Sequence, residues 1–170
     1  MSVIANTTII SNFASIGRLE LLWRLYSTLY ISTEVYAEIQ QGTAEGYTFY
    51  DGIGLVIYPF AEDGWIRLAG IAGDDELRLF STLPAQLHPG EASCIAIACV
   101  RSWQFLSDDR AARQEARRLA VNVSGTVGCL ALAVEKGLCD LTQANGWLRA
   151  MIQRGFRSPV FDLAPLLSAG

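Results

Sequence analysis

The sequence predicts an α/β fold in which a central parallel sheet of four to five strands lies between two layers of helices. Three observations predict it. Short apolar runs alternate with segments of helical period along most of the chain, the pattern of successive strand and helix units. Hydrophobic residues make up 51% of the sequence and charged residues only 18%, so much of the chain must be covered on both sides, as parallel strands are. The 170 residues contain no internal repeat, low-complexity tract or linker, which leaves one domain with its own core.

Each element carries its own signal. Ser2 to Asn6 reads as a short buried strand, and Thr7 to Asn12 as a polar turn that can cap the next helix. Ile16, Leu19, Leu22, Trp23 and Leu25 recur at helical spacing, and Leu29 to Ile31 reads as a second strand. Ser32 or Thr33 caps a helix that carries Val35, Ile39, Glu34 and Glu38. From Gly42 to Gly73 glycines interrupt an aromatic-rich stretch, which is read as a helix and then a short strand. Asp74 to Leu83 is helical, with acids in the first turn where the helix dipole favours them. Pro89-Gly90 opens a helix in which only Ser93 is polar between Ala92 and Val100, so it must be central. Gln104 to Ser107 is a strand that ends in Asp108-Asp109. The next helix sets Ala112, Ala116 and Leu119 on one face, with arginines elsewhere. Val121 to Val123 is a strand, Gly125 a turn, and Val127 to Glu135 and Thr142 to Arg154 are helices. The domain is expected to span residues 1–155, with residues 156–170 as a tail packed on it.

Composition bounds the function. A net charge of −4 and a pI near 5.0 exclude a protein that coats nucleic acid by bulk electrostatics, although a local basic patch is compatible. No apolar run reaches the length of a membrane span and no secretory signal opens the chain, so a cytoplasmic, non-membrane protein is expected. Cys94, Cys99, Cys129 and Cys139 lack C-x-x-C spacing, and one histidine supplies a zinc site poorly, so they read as reduced core residues. His88 has no evident serine or cysteine partner for a triad and reads as a loop residue. Nucleotide-binding glycine motifs are absent from the sequence. The apolar composition and the aromatic residues between Tyr47 and Trp65 suggest a surface covered by a second copy, as in a dimer, or by a partner helix.

In an open parallel sheet, groups at the carboxyl ends of strands meet in one crevice. Asn6 ends the first strand, Asp108 and Asp109 end a later one, Glu91 opens the central helix and Glu38 lies on the helix after the second strand. Carboxylates gathered there would repel one another unless they shared a cation, and hard oxygen ligands select Mg²⁺ or Mn²⁺. Such an ion can activate water for attack on a phosphodiester. Each residue also has a plainer reading. Glu38 can be a solvated helix residue, Glu91 a first-turn acid on the helix dipole, and one of the aspartates a helix cap. Asn6 can be a buried amide bonded to backbone, and Thr126 a helix cap or a phosphate contact. Arg110, Arg113, Arg117 and Arg118, which Arg101 can join, suit either an RNA backbone or a solvated helix face.

Several blocks together resemble the PIN-domain family, including the VapC-type toxins of bacterial toxin–antitoxin pairs. They are Val3-Ile4-Ala5-Asn6-Thr7-Thr8 with Ser11-Asn12, Val35-Tyr36-Ala37-Glu38-Ile39, Pro89-Gly90-Glu91-Ala92, Leu106-Ser107-Asp108-Asp109-Arg110 and Gly125-Thr126-Val127-Gly128. The resemblance implies an endoribonuclease dependent on Mg²⁺ or Mn²⁺, with RNA as substrate and an antitoxin as partner. Its ligands would fall on Asn6, Glu38, Glu91 and Asp109, or Asp108 in the other register. Glu38, Glu91 and Asp109 would be the catalytic acids, and Arg110, Arg113, Arg117 and Thr126 would hold RNA. Asn6 departs from the family, which usually carries aspartate there: an amide lends a neutral oxygen and no charge, so metal affinity should fall.

Overall fold

A computed structural model describes residues 1–167. The chain runs β1 (Val3–Ala5), α1 (Thr7–Ser15), α2 (Glu20–Tyr26), β2 (Leu29–Ser32), α3 (Thr33–Ala44), β3 (Ile57–Tyr58), β4 (Ile66–Ala69), α4 (Gly73–Thr82), α5 (Pro89–Arg101), β5 (Gln104–Leu106), α6 (Arg110–Arg118), β6 (Val123–Ser124), α7 (Thr126–Glu135), α8 (Leu141–Gln153) and α9 (Ala164–Leu167). The strands form one sheet in the order β3-β4-β2-β1-β5-β6, parallel at every pairing. Helices α3, α4, α5 and α6 touch one another on one side, while α1, α2, α7 and α8 pack together on the other.

Among the described residues the sheet has six strands, more than the four to five expected. The difference lies between residues 42 and 73, where two short 3-10 turns (Thr48–Tyr50 and Ile53–Val56) replace the expected helix and two strands replace one. Left-handed glycines at 46 and 52 break the helical backbone there. Gly64 lets the loop between β3 and β4 fold back on the strand: a Cβ would sit 2.3 Å from the Tyr58 nitrogen. The last strand begins two residues later than expected, because Ala120 is left-handed and the Val121 N–H closes α6 on the Ala116 carbonyl.

Helix α5 is the hub. Every residue from Gly90 to Ala98 is buried, and the helix lies against β1, β2 and β5. The one polar residue between Ala92 and Ala98, Ser93, bonds Ser32 Oγ at 2.8 Å and the Gly90 carbonyl at 3.0 Å, so its donor is not stranded in the core. Residues 156–167 return over the other face: Leu163 is fully buried, and its N–H donates to Asn145 Oδ1 at 2.9 Å. The tail read as residues 156–170 ends outside the described residues. No helix among the described residues is long and apolar enough to cross a membrane.

Candidate functional site

Strand order reverses at β1. The chain leaves β1 toward β2 on one side and later returns to β5 on the other, so the carboxyl ends of β1 and β5 open a crevice. Register fixes what stands there. Ala5 pairs with Leu106, and the Asn6 N–H donates to the Leu106 carbonyl at 3.1 Å, which brings Asn6 beside Ser107.

Asn6 is 1% exposed, and its amide is bonded at both ends. Its Nδ2 donates to Ser107 Oγ at 2.8 Å, and its Oδ1 accepts from Thr8 Oγ1 at 2.7 Å. Glu38 reaches the same place from α3, where its carboxylate accepts from Thr7 Oγ1 at 2.5 Å and from the Gly90 N–H at 3.1 Å. Gly90 is what allows this approach: a Cβ at that position would lie 2.5 Å from Glu38 Oε2. Glu91, 8% exposed, turns back to accept from the His88 N–H at 3.0 Å. Asn6, Thr7, Thr8, Glu38, His88 and Glu91 enclose a pocket of about 280 Å³.

Burial raises Glu91 above the usual carboxylate range, and the negative charges of Asp109 and Glu38 add to the rise against the pull of the His88 N–H. Among the described residues, none of Glu38, Glu91, Asp108 and Asp109 has an ion-pair partner. In their pocket Glu38 and Glu91 have His88 as the one basic lining residue.

The aspartate doublet divides. Asp109 caps α6, its Oδ1 accepting from the Ala112 N–H at 2.8 Å, and stands within electrostatic reach of Glu91. Asp108 turns the other way, accepting from the Thr126 N–H at 2.8 Å, the Thr126 hydroxyl at 2.5 Å and Asn12 Nδ2 at 2.9 Å. Thr126 is fully buried and spends both donors on Asp108, so it braces the aspartate and offers no face to a phosphate. Arg110, Arg113 and Arg117 line one larger cavity. Arg118 instead pairs with Glu115, and Arg101 with Glu76. Burial pushes the thiols of Cys94 and Cys129 up to about 12, which leaves these two unreactive, while Cys99 and Cys139 are only partly buried.

The hydroxyls of Thr7, Thr8 and Ser107 join this site without having been singled out in the sequence. Thr7 and Thr8 open α1, an otherwise apolar-faced helix, and that contrast is the signal that could have found them. The signal for His88 was its place just before Pro89, as the N-cap of α5.

The sequence model of a PIN-domain family, DUF3368, matches residues 2–168. The chain belongs to the PIN-domain family. Among solved structures, a PilT N-terminus domain protein from the hyperthermophilic archaeon Sulfolobus solfataricus P2 is similar at 14% identity with a TM-score of 0.48, over 79% of this chain and 95% of that one. No curated protein matches in sequence. PIN domains generally depend on a divalent metal. Among the described residues of this PIN domain, no three acidic, histidine or cysteine side chains form a ready-made metal cage. The crevice offers instead two carboxylates, Glu38 and Glu91, with neutral oxygens from Asn6, Thr7 and Thr8 beside them. That donor set fits a hard divalent cation that keeps several waters and needs only one or two carboxylates.

Proposed function

We propose that this PIN domain is a metal-dependent endoribonuclease of the VapC toxin type, cutting single-stranded RNA at the crevice between β1 and β5. The observation that carries the reading is the pair Glu38 and Glu91, which share one pocket without an ion pair among the described residues, His88 being the one basic residue in its lining, and with Glu91 raised by burial and by its acidic neighbours. Glu38 and Glu91 would hold the ion, with Asn6 lending its amide oxygen. The chemistry a divalent cation supplies when bound is polarisation of the phosphodiester and acidification of water. The residues of the chain supply position. Thr7 and the Gly90 N–H fix the Glu38 carboxylate, and the His88 N–H fixes Glu91. Asp109 adds negative charge at the rim, and Arg110, Arg113 and Arg117 on α6 attract the phosphate backbone.

The test is cleavage of single-stranded RNA in added Mn²⁺. Activity that Glu91→Gln removes is expected, whereas no activity at any Mn²⁺ concentration would refute the reading. A second reading, an inactive PIN-like domain that binds RNA or an antitoxin-like protein, is favoured by the state of Asn6, whose uncharged amide is already bonded to Ser107 and Thr8. Asn6→Asp separates the two. The Ser107 hydroxyl can rotate to donate to the new carboxylate, so the fold is kept while a third charge enters the pocket. A gain of Mn²⁺ binding and cleavage marks a weakened enzyme, and unchanged inactivity marks a binding module.

A further inference from the structure

The Asp108–Asp109 doublet stands between two cavities of opposite character. Asp109 acts on the acidic pocket, while Asp108 borders a cavity of about 600 Å³ formed by α6, the start of α7 and the returning chain after α8. Arg110, Arg113, Arg117 and Arg157 line this second cavity, and Phe156 and Leu166 give it apolar walls. Arg157 comes from residues that the sequence assigns to a tail. It arrives because Gly155 is left-handed and the Phe156 N–H turns back onto the Met151 carbonyl.

Four guanidinium groups converge here in a chain of net charge −4. Arg18, Arg78, Arg101 and Arg118 each have an acidic partner, whereas Arg110, Arg117 and Arg157 have none among the described residues. Arg113 donates to the Ser107 carbonyl at 2.9 Å, and burial followed by repulsion from Arg117 lowers its pKa despite the opposing pull of Asp108. Asp108, its oxygens held by the neutral donors of Thr126 and Asn12, is the one carboxylate that lines this cavity, so it offsets only part of the charge of the four arginines. Four cations against one carboxylate, beside apolar walls, fit a phosphate ester that carries an organic group. A planar guanidinium matches phosphate oxygens two at a time, and a base can lie on an aromatic ring.

We infer that this cavity is a nucleotide subsite: Arg113, Arg117 and Arg157 hold one phosphate, Phe156 carries its nucleoside, and the segment after α8 is thereby part of the binding surface. The occupant as a unit of an RNA strand rests on the nuclease reading, but the binding itself does not need cleavage. Binding is therefore measured without metal, by fluorescence anisotropy of a labelled single-stranded RNA decamer in EDTA across a range of salt, and by calorimetry with AMP. Arg157→Ala and Arg117→Ala should each weaken the RNA about tenfold, as loss of a charge-assisted bond does, and should each lower the salt slope by about 0.7. Arg154→Ala, an exposed arginine outside the cavity, should change neither. Arg157 is exposed, so its removal leaves folding intact. AMP binding lost in Arg157→Ala would identify a free nucleotide as sufficient, and RNA binding with the same dependence but no AMP binding would identify the strand; both support the subsite. Absence of RNA and AMP binding, or binding that Arg157→Ala and Arg117→Ala leave unchanged, overturns it. A protein that binds in this way and never cleaves RNA keeps the subsite and loses the nuclease reading.

Discussion

Gly90→Ala separates the fold of this protein from the chemistry proposed for it. A Cβ at residue 90 would fall 2.5 and 2.6 Å from the two carboxylate oxygens of Glu38, so the carboxylate must retreat by about 0.9 Å to reach the 3.4 Å at which ordinary contact begins. The retreat strains the bonds from the Gly90 N–H and the Thr7 hydroxyl, now 3.1 and 2.5 Å long. Water can replace part of both at this half-buried side chain, and alanine in a helix gains about 0.5–1 kcal/mol over glycine. The net effect on stability should stay within about 1 kcal/mol, or roughly 2–4 °C in melting temperature for a chain of this size. Function should respond far more, because a displacement of about 1 Å in a catalytic group can cost about 10²-fold. The assay pairs RNA cleavage in Mn²⁺ with thermal melting, including the upward shift that Mn²⁺ produces. The reasoning is refuted if Gly90→Ala melts near the wild type and retains its cleavage and Mn²⁺ response.

Two further outcomes are expected. The pKa of Glu91 is raised in the folded state, so folding disfavours its charged form relative to the unfolded chain; its contribution to stability is present below the ordinary glutamate value and is lost as pH rises through the raised one. In EDTA, Glu91→Gln should therefore gain on the wild type as pH rises above about 4, and a gap that pH does not move in chemical denaturation would contradict this. Arg101→Ala should leave cleavage by the folded protein intact but lower the melting point. It strips Glu76, 3% exposed, of bonds at 2.6 and 3.0 Å and leaves only the Ala72 N–H at 2.7 Å. The loss should be about 3 kcal/mol, or about 6–12 °C, and a change under about 2 °C would refute it.

How much of this was legible in the sequence depended on the range of the interactions. Helix α5 announced itself because an apolar run from Ala92 to Ala98, broken only by Ser93, has no solvent-facing stripe, and all of it is buried. The crevice was legible for the same reason: a parallel sheet puts Asn6 and Ser107 at one edge once β1 and β5 are known. Residues 42–73 were not, because their form rests on left-handed glycines and on a loop packed against Tyr58. The bond from Asn6 to Ser107 spans 101 residues and the one from Thr7 to Glu38 spans 31, and local pattern carries no trace of either. Arg157 escaped notice because its cavity is assembled from segments that only the fold brings together.

The same limit held for the aspartate doublet, where sequence placed two carboxylates at one strand end and could not divide their work. The structure supplies a division that can be tested. Asp108 receives three donors, the N–H and hydroxyl of Thr126 and the amide of Asn12, and so ties the end of β5 to α1 and α7. An asparagine there must turn an NH₂ toward one of those donors, and an unmet group in this setting costs about 1–3 kcal/mol. Asp109 has a replaceable structural duty, since asparagine caps a helix about as well as aspartate and the Ala112 N–H needs only an oxygen. What Asp109→Asn removes is charge beside Glu91. Asp108→Asn should thus lower the melting point by several degrees, while Asp109→Asn should melt like the wild type and show a weaker Mn²⁺ response and slower cleavage. If Asp109→Asn instead loses stability and keeps its Mn²⁺ response, the aspartate is a cap alone, and the acidic pocket ends at Glu38 and Glu91.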